Sequence, residues 1–323
     1  MTGTGPPATD GGYGALHDGL AARVVGRDVL AVSGPDAAGY LQGQCSQDLD
    51  ALAVGGSADS LLLSPQGKID AVVRVTRTGD ETFVLDTEDG SGPTARARLE
   101  RFRLRTKVAF EPLGWACLSV RGPRAPAGAP DGRSAGGPEL VIPVVWPGWV
   151  GVDLLGPWPV GDPDLEGWLP EGAVRCDEDA WDAARIEVGV PVWGREVTSS
   201  SIAAEVGLVD RTVSFTKGCY TGQELVARLD ARGSNVARRL CGVVVAGDVR
   251  PPVGASVWTV DGEHEVGGLS SVAWSPGLGA TVALATLHRR VTPPEAVVVE
   301  WDGSGPVHRV DAEARPLPLV PGA

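Results

Sequence analysis

The alternation of apolar and polar positions predicts many short strands and few helices. Strand patterns fall at residues 28–33 (DVLAVS), 59–64 (DSLLLS), 69–77 (IDAVVRVTR) and 82–87 (TFVLDT), and Pro65-Gln66-Gly67-Lys68 forms the turn between the second and third. Further strands are predicted at 107–110, 115–120, 140–145 and 149–155. Helical periodicity marks 35–42, with proline in its first turn, and 94–106, with five arginines around Leu99, Phe102 and Leu104. It also marks 177–188, where Ala180, Trp181, Ala184 and Val188 share a face. Strands and helices mix without strict alternation, which predicts an α+β class. Past Leu240 the pattern changes to short apolar runs (CGVVVAG, ASVWTV, GATVALATL, AVVVEW) punctuated by Gly, Pro and Asp. That spacing predicts a small all-β domain, a barrel, over 239–323. Residues 1–15 and 121–138 are too rich in Gly and Pro for packed elements, and read as a disordered N-terminus and a flexible insertion.

The chain has 323 residues, room for two or three domains, and a net charge of 28 − 41 = −13. Such acidity argues against a general nucleic-acid or anionic-membrane binder unless a local basic patch opposes it, so neither direct nucleic-acid nor membrane binding is expected. No window approaches the ~18 apolar residues of a membrane span, and the first residues show no basic-then-apolar leader, so a cytoplasmic protein is expected. Five cysteines (45, 117, 176, 219, 241) lack any CxxC, and four histidines (17, 264, 288, 308) lack HxH or HExxH spacing. Neither a disulfide framework nor a resident metal is expected.

The most informative stretch is 216–233, TKGCYTGQELVARLDARG. Thr221 with Glu224 three residues on has the spacing of a capping box, and LVARL continues as helix. Lys217-Gly218-Cys219-Tyr220 then forms the entering turn, with Cys219 about two residues before the first helical turn and Lys217 beside it. A cation and a helix N-terminus both favour a thiolate. The alternative is that Cys219 is a small buried hydrophobe.

Lys217-Gly218-Cys219-Tyr220-Thr221-Gly222-Gln223-Glu224 resembles the K-G-C-[FY]-x-G-Q-E signature of the YgfZ group of folate-binding proteins, relatives of the glycine cleavage T-protein. Tyr40-Leu41-Gln42-Gly43-Gln44 with Asp48 is similar to that group's FLQGQ…D segment, 64–75 to its strand–turn–strand, and 185–196 (RIEVGVPVWGRE) to its R-x-E-x-G-x-P-x-x-G element. The resemblance implies a three-lobed, GcvT-like folate-binding fold: two α+β lobes over 16–238, then a C-terminal β-barrel. It implies tetrahydrofolate, or a one-carbon derivative, in a central cavity. Glu187 then faces the pterin, where a carboxylate accepts two parallel N–H bonds, unless it is a solvated charge at a helix end. Arg185, Gln42, Gln44, Tyr220, Gly222, Gln223, Glu224 and Arg228 complete the implied folate contacts, and Cys219 with Lys217 the implied reactive pair.

One departure matters. The T-protein's aminomethyl transfer depends on an aspartate in a G-x-I-x-D-D stretch; aligned on Gly67-Lys68-Ile69, the acidic positions hold Ala71 and Val72, and Asp70 falls one residue early. A shift of one residue along a strand sends a side chain to the opposite face. The YgfZ branch implies a folate-binding accessory to iron–sulfur cluster assembly or repair in client enzymes, tRNA-modifying enzymes among them, rather than a free-standing catalyst. A folate-dependent aminomethyltransferase or demethylase, and a thiol redox protein without folate, are the alternatives. Local charge bears on this too: 94–107 carries six basic residues against Glu100, and 217–239 five against two acidic. Such excess suits an anionic ligand such as a polyglutamyl folate tail, a docking face, or a solvated helix face.

Overall fold

The computed structural model describes residues 10–125, 137–159, 161–231, 233, 235–302 and 307–320. A short helix α1 (Tyr13–Asp18) leads into β1 (Ala21–Val25) and β2 (Arg27–Ser33), followed by α2 (Ala37–Gln44). Then come β3 (Ser57–Leu63), β4 (Ile69–Arg77), β5 (Thr82–Glu88), α3 (Gly92–Phe102), β6 (Ala109–Leu113) and β7 (Trp115–Arg121). After these lie β8 (Leu140–Trp146), β9 (Trp149–Pro157), the two-residue β10 (Val174–Arg175), α4 (Glu178–Val188), α5 (Val209–Thr212) and α6 (Gln223–Asp230). The last six strands are β11 (Arg238–Val245), β12 (Ser256–Thr259), β13 (Glu265–Ser275), β14 (Ala280–His288), β15 (Glu295–Trp301) and β16 (His308–Arg315).

Two five-stranded sheets and a closed barrel result: β3-β4-β5-β2-β6, β10-β1-β7-β9-β8, and β11-β14-β13-β12-β15-β16. The class is α+β, and closing the third unit into a barrel removes its sheet edges. On β4 the two-residue period is plain: Ala71, Val73 and Val75 enter the core under α2 and α3, while Val72 and Arg74 face the other way. α4 is N-capped by Asp177, whose carboxylate accepts from the Ala180 N–H at 2.8 Å, and its buried face packs on β13 of the barrel. That contact holds the barrel against the rest of the molecule.

Several expectations need correction. Residues 13–15 belong to α1, and Tyr13 is buried against α4; residues 1–9 lie outside the described residues. Arg121, taken as the start of an insertion, closes β7 with its side chain buried; 126–136 lie outside the described residues. Helix α3 ends at Phe102, because Leu104 onward has no apolar face to bury, and Leu104 is exposed. The capping box at Thr221 does not form. Gly222, at φ +84°, is the N-cap of α6 without any side-chain bond, so the helix starts at Gln223, four residues past Cys219. No helix among the described residues is long and apolar enough to cross a membrane.

Candidate functional site

A cavity of about 330 Å³ lies where the two open sheets, α4 and the stretch after it meet. Its floor is built by strands that alternate one face to the core and one to the cavity. β2, β4 and β5 contribute Arg27, Arg74 and Glu88, and β7, β8 and β9 contribute Arg121, Trp146 and Asp153. Trp181 and Arg185 from α4, Trp193 from the following loop and Arg211 from α5 complete it.

The floor is a buried ionic network that ties the two sheets. Arg74 donates to both oxygens of Asp86 at 2.9 and 2.8 Å, and across to Asp153 at 2.6 Å. Asp153 also accepts from Arg121 at 2.8 Å and Ser119 at 2.7 Å, while Arg27 pairs with Asp86. Three guanidiniums thus meet two carboxylates, one positive charge in excess. Burial alone would raise the Asp153 carboxyl, but Arg121, Arg74 and Arg27 outweigh it and hold it well below the usual carboxylate range. Burial pushes Glu88 the other way, above its ordinary value, despite Arg27 and the N–H that Trp193 donates to it.

Two lining residues carry buried donors without partners, the Nε–H of Arg121 and of Arg211. Such groups cost about 1–3 kcal/mol each when left unpaired. Trp146 and Trp181 stand edge to face at 5.0 Å, with the Arg121 guanidinium over both rings. The cavity therefore offers flat apolar walls, unspent cationic donors and the Glu88 carboxylate: a site for a flat, polar-edged, anionic molecule.

Of the residues expected from sequence, only Arg185 lines this cavity, and its guanidinium is engaged. It bonds Asp182, the Val190 carbonyl, Glu196 and Ser271 of β13, linking α4 to the barrel. Glu187 is not brought to the cavity. On the helix face toward α1 and fully buried, it accepts from the Tyr13 hydroxyl at 2.7 Å, and its second oxygen lies 3.2 Å from His17 Nε2 without hydrogen-bond geometry. Glu187, implied by the resemblance to face the pterin, thus stands apart from this cavity, engaged by Tyr13. Glu88, Arg121, Arg211 and the three tryptophans were missed. In the sequence Glu88 and Arg121 show only as charges at the ends of strand patterns, and Arg211 and the three tryptophans carry no such signal.

The KGC segment lies elsewhere, on the β3–β4 side of the first lobe. Lys217 Nζ donates to the carbonyls of Gln42, Cys45 and Gln47 at 2.7–2.8 Å and to Gln42 Oε1 at 3.2 Å, so its ammonium caps the C-terminal end of α2. Gln42 also binds Asp48, and Gln44 accepts from Arg98, which in turn bonds Asp70 at 3.1 Å. Tyr220 packs beside Leu61, Leu63 and Ile69, and Gln223 accepts from its N–H. Glu224 and Arg228 are exposed on α6. None of these residues lines the central cavity. Cys219 is the one exposed thiol of the five. Burial pushes Cys45 and Cys241 up to about 11 and Cys117 and Cys176 up to about 12.

The acidic position of the transfer reaction is open to inspection. A bulge in β4 opposes Leu62 to Ala71 and Leu63 to Ile69, leaving Asp70 as the extra residue. The bulge keeps Asp70 on the α3 side with Ala71, not across the sheet as simple alternation predicts; Val72 is the residue that reaches the cavity.

A family model for the glycine cleavage T-protein C-terminal barrel domain matches residues 238–320. The chain is 31% identical over 222 residues to a protein named tRNA-modifying protein YgfZ from Edwardsiella ictaluri, covering 64% of this chain and 65% of that one. It is 25% identical over 296 residues to an aminomethyltransferase of Corynebacterium jeikeium, covering 79% and 75%. Among solved structures it superposes on the glycine cleavage system aminomethyltransferase T of Bartonella henselae with a TM-score of 0.80, at 19% identity, over 96% of this chain and 89% of the other. That likeness establishes the three-lobed fold.

Proposed function

The chain belongs to the YgfZ/GcvT-like family, and we propose that it binds tetrahydrofolate or a one-carbon derivative in the cavity between its two open sheets. The observation that carries this reading is the pairing of tryptophan walls with unspent polar groups, the buried Nε–H donors of Arg121 and Arg211, beside the Glu88 carboxylate, which the Trp193 N–H already engages at one oxygen. A pterin has a flat ring and an edge of N–H donors suited to a carboxylate, and the folate tail carries carboxylates suited to guanidinium. Glu88 takes the acceptor role first assigned to Glu187.

On this reading the bound folate serves an accessory protein of iron–sulfur cluster assembly or repair, as the sequence resemblance implies, with tRNA-modifying enzymes among the clients; the relatives' name, tRNA-modifying protein, supports only the link to tRNA modification. Val72 at the cavity, in place of a carboxylate, leaves aminomethyl transfer without its acid. Cys219, exposed and remote from the cavity lining, is the thiol offered to a client protein. Titration calorimetry with tetrahydrofolate tests the binding step. Glu88→Gln turns an acceptor into a donor facing donors and weakens binding by about 1–3 kcal/mol; unchanged affinity removes Glu88 from the site. Rescue of a deletion strain's iron–sulfur enzyme activities by wild type and not by Cys219→Ser tests the client role.

A further inference from the structure

The barrel carries a group of cations that folate binding leaves unused. Arg238 and Arg239 open β11, and Arg289 and Arg290 follow directly on β14. The antiparallel register sets Arg238 opposite His288 and Arg239 opposite Leu287, and the Arg289 N–H donates to the Ala237 carbonyl at 2.9 Å. Pairing thus gathers four arginines from two distant segments at one end of the barrel, all exposed. Among the described residues none of the four forms an ion pair, although the chain carries 41 carboxylates against 28 cations. Neighbouring like charges repel, so the cluster costs stability, and among the described residues no ion pair offsets it.

A second observation lies beside it. A cavity of about 720 Å³ between the barrel and the end of α4 has apolar walls, Leu287, Pro293, Leu317 and Pro318, and carries Arg239 and Arg289 in its lining. The strand period explains why these two arginines share a side: Arg239 is opposite Leu287, and Arg289 is two residues further on. Asn235, Thr292 and Asp210 are its polar groups.

We propose that this end of the barrel binds single-stranded RNA, the four guanidiniums holding phosphates and the apolar cavity receiving an unpaired base. Phosphates take guanidinium N–H donors, and an unstacked base needs a flat apolar recess next to them. An acidic protein surface would use the charges and leave the recess empty. Asn235, Thr292 and Asp210 offer donors and acceptors to a ribose 2′-hydroxyl, which selects RNA over DNA. The overall charge of −13 argues against general nucleic-acid binding; this cluster is the local exception that the same argument allows.

The test is fluorescence anisotropy of the full chain with a fluorescein-labelled single-stranded RNA. Four phosphate contacts at about −0.7 each give a log–log salt slope near −2.8, a loss of roughly 50-fold between about 50 and 200 mM salt. Arg239→Ser/Arg289→Ser removes two contacts, so the slope falls to about −1.4 and the same salt step costs only about 7-fold. Affinity at low salt drops as well, while tetrahydrofolate affinity stays unchanged and the melting temperature does not fall, because removing two like charges relieves repulsion. Arg238→Ser/Arg290→Ser, outside the cavity lining, lowers the slope equally and covers the case in which the first variant misfolds. Arg101→Ser/Arg105→Ser, basic residues on another lobe, leaves binding as in wild type. The proposal is overturned by absence of RNA binding, by equal binding of DNA of the same sequence or of polyglutamate, or by both barrel variants binding like wild type. It is equally overturned if the barrel variants lose folate affinity, which would make the cluster a site for the folate tail.

Discussion

Replacing Asp153 by asparagine removes one of only two carboxylates that hold three guanidiniums, those of Arg74 and Arg121 buried and that of Arg27 part-buried. In the intact floor Arg27, Arg74 and Arg121 face Asp86 and Asp153, an excess of one positive charge; in Asp153→Asn the excess is two, with the side chain's size and shape retained. Asp153 is 5% exposed, Arg74 6% and Arg121 3%, so water cannot screen the change. Breaking one partner of a buried ion pair costs about 3–5 kcal/mol. At about 2–4 °C per kcal/mol that is a fall of roughly 10 °C in melting temperature. Urea unfolding followed by the fluorescence of Trp146 and Trp181, which adjoin the network, reads it directly. A double-mutant cycle adds a sharper criterion: Arg74→Met with Asp153→Leu costs less than the two single changes summed, by about 1–3 kcal/mol. The pH dependence follows from the sign of the shift. Because the folded carboxyl of Asp153 lies below its unfolded value, its contribution is complete above the unfolded pKa of about 3.9 and is lost as pH falls through the folded one. The wild type therefore loses stability in acid more steeply than Asp153→Asn. A loss under about 1 kcal/mol in Asp153→Asn, or parallel acid profiles, would refute the claim that this network joins the two sheets.

The remaining predictions concern the other elements. Cys219 is alkylated first by limiting iodoacetamide, because burial holds the other four thiols at about 11–12; mass-spectrometric mapping that finds Cys45 or Cys117 first refutes this. Gly222→Ala is destabilising by roughly 1–3 kcal/mol in chemical denaturation, since φ is +84° and a Cβ would lie 2.5 Å from the Ser64 carbonyl oxygen and 2.7 Å from Leu63 Cβ. Tetrahydrofolate affinity falls as pH drops through the raised pKa of Glu88, because the ligand's donors need the ionised form; a flat calorimetric profile that stays flat in Glu88→Gln assigns the carboxylate no role.

The strands were legible because the barrel and sheet faces obey a two-residue period, and β4 was read to the residue as 69–77. Three of the misread ends depend on groups outside the local window. Tyr13 is ordered by Glu187, far along the chain, so a Gly-rich start concealed a packed helix. Arg121 is drawn into a strand by Asp153 and the Val152 carbonyl across β9, partners that no neighbouring residue announces. Gly222 takes the N-cap of α6 because Leu63 and Ser64 press on it, which overrides the capping-box spacing of Thr221 and Glu224.

The candidate site was harder to read because motif and cavity are different places. The KGC stretch concentrates recognisable residues, yet its lysine is consumed in capping α2, and its cysteine faces solvent rather than the tryptophan-walled cavity. The cavity is assembled from a few residues each on eight strands, two helices and the loops between them, and its charges and aromatics read locally as out-of-place charges or ordinary core aromatics. What marks such residues is an imbalance that only the fold reveals: three arginines for two aspartates, and two Nε–H groups left over. The same accounting, applied to the barrel, separates Arg238, Arg239, Arg289 and Arg290 from the arginines that the fold has already neutralised. A buried donor left over beside tryptophans calls for a small ligand, because only an enclosed molecule can reach it. An exposed cluster left over beside an apolar recess calls for a polymer, because only repeated charges engage four guanidiniums at once.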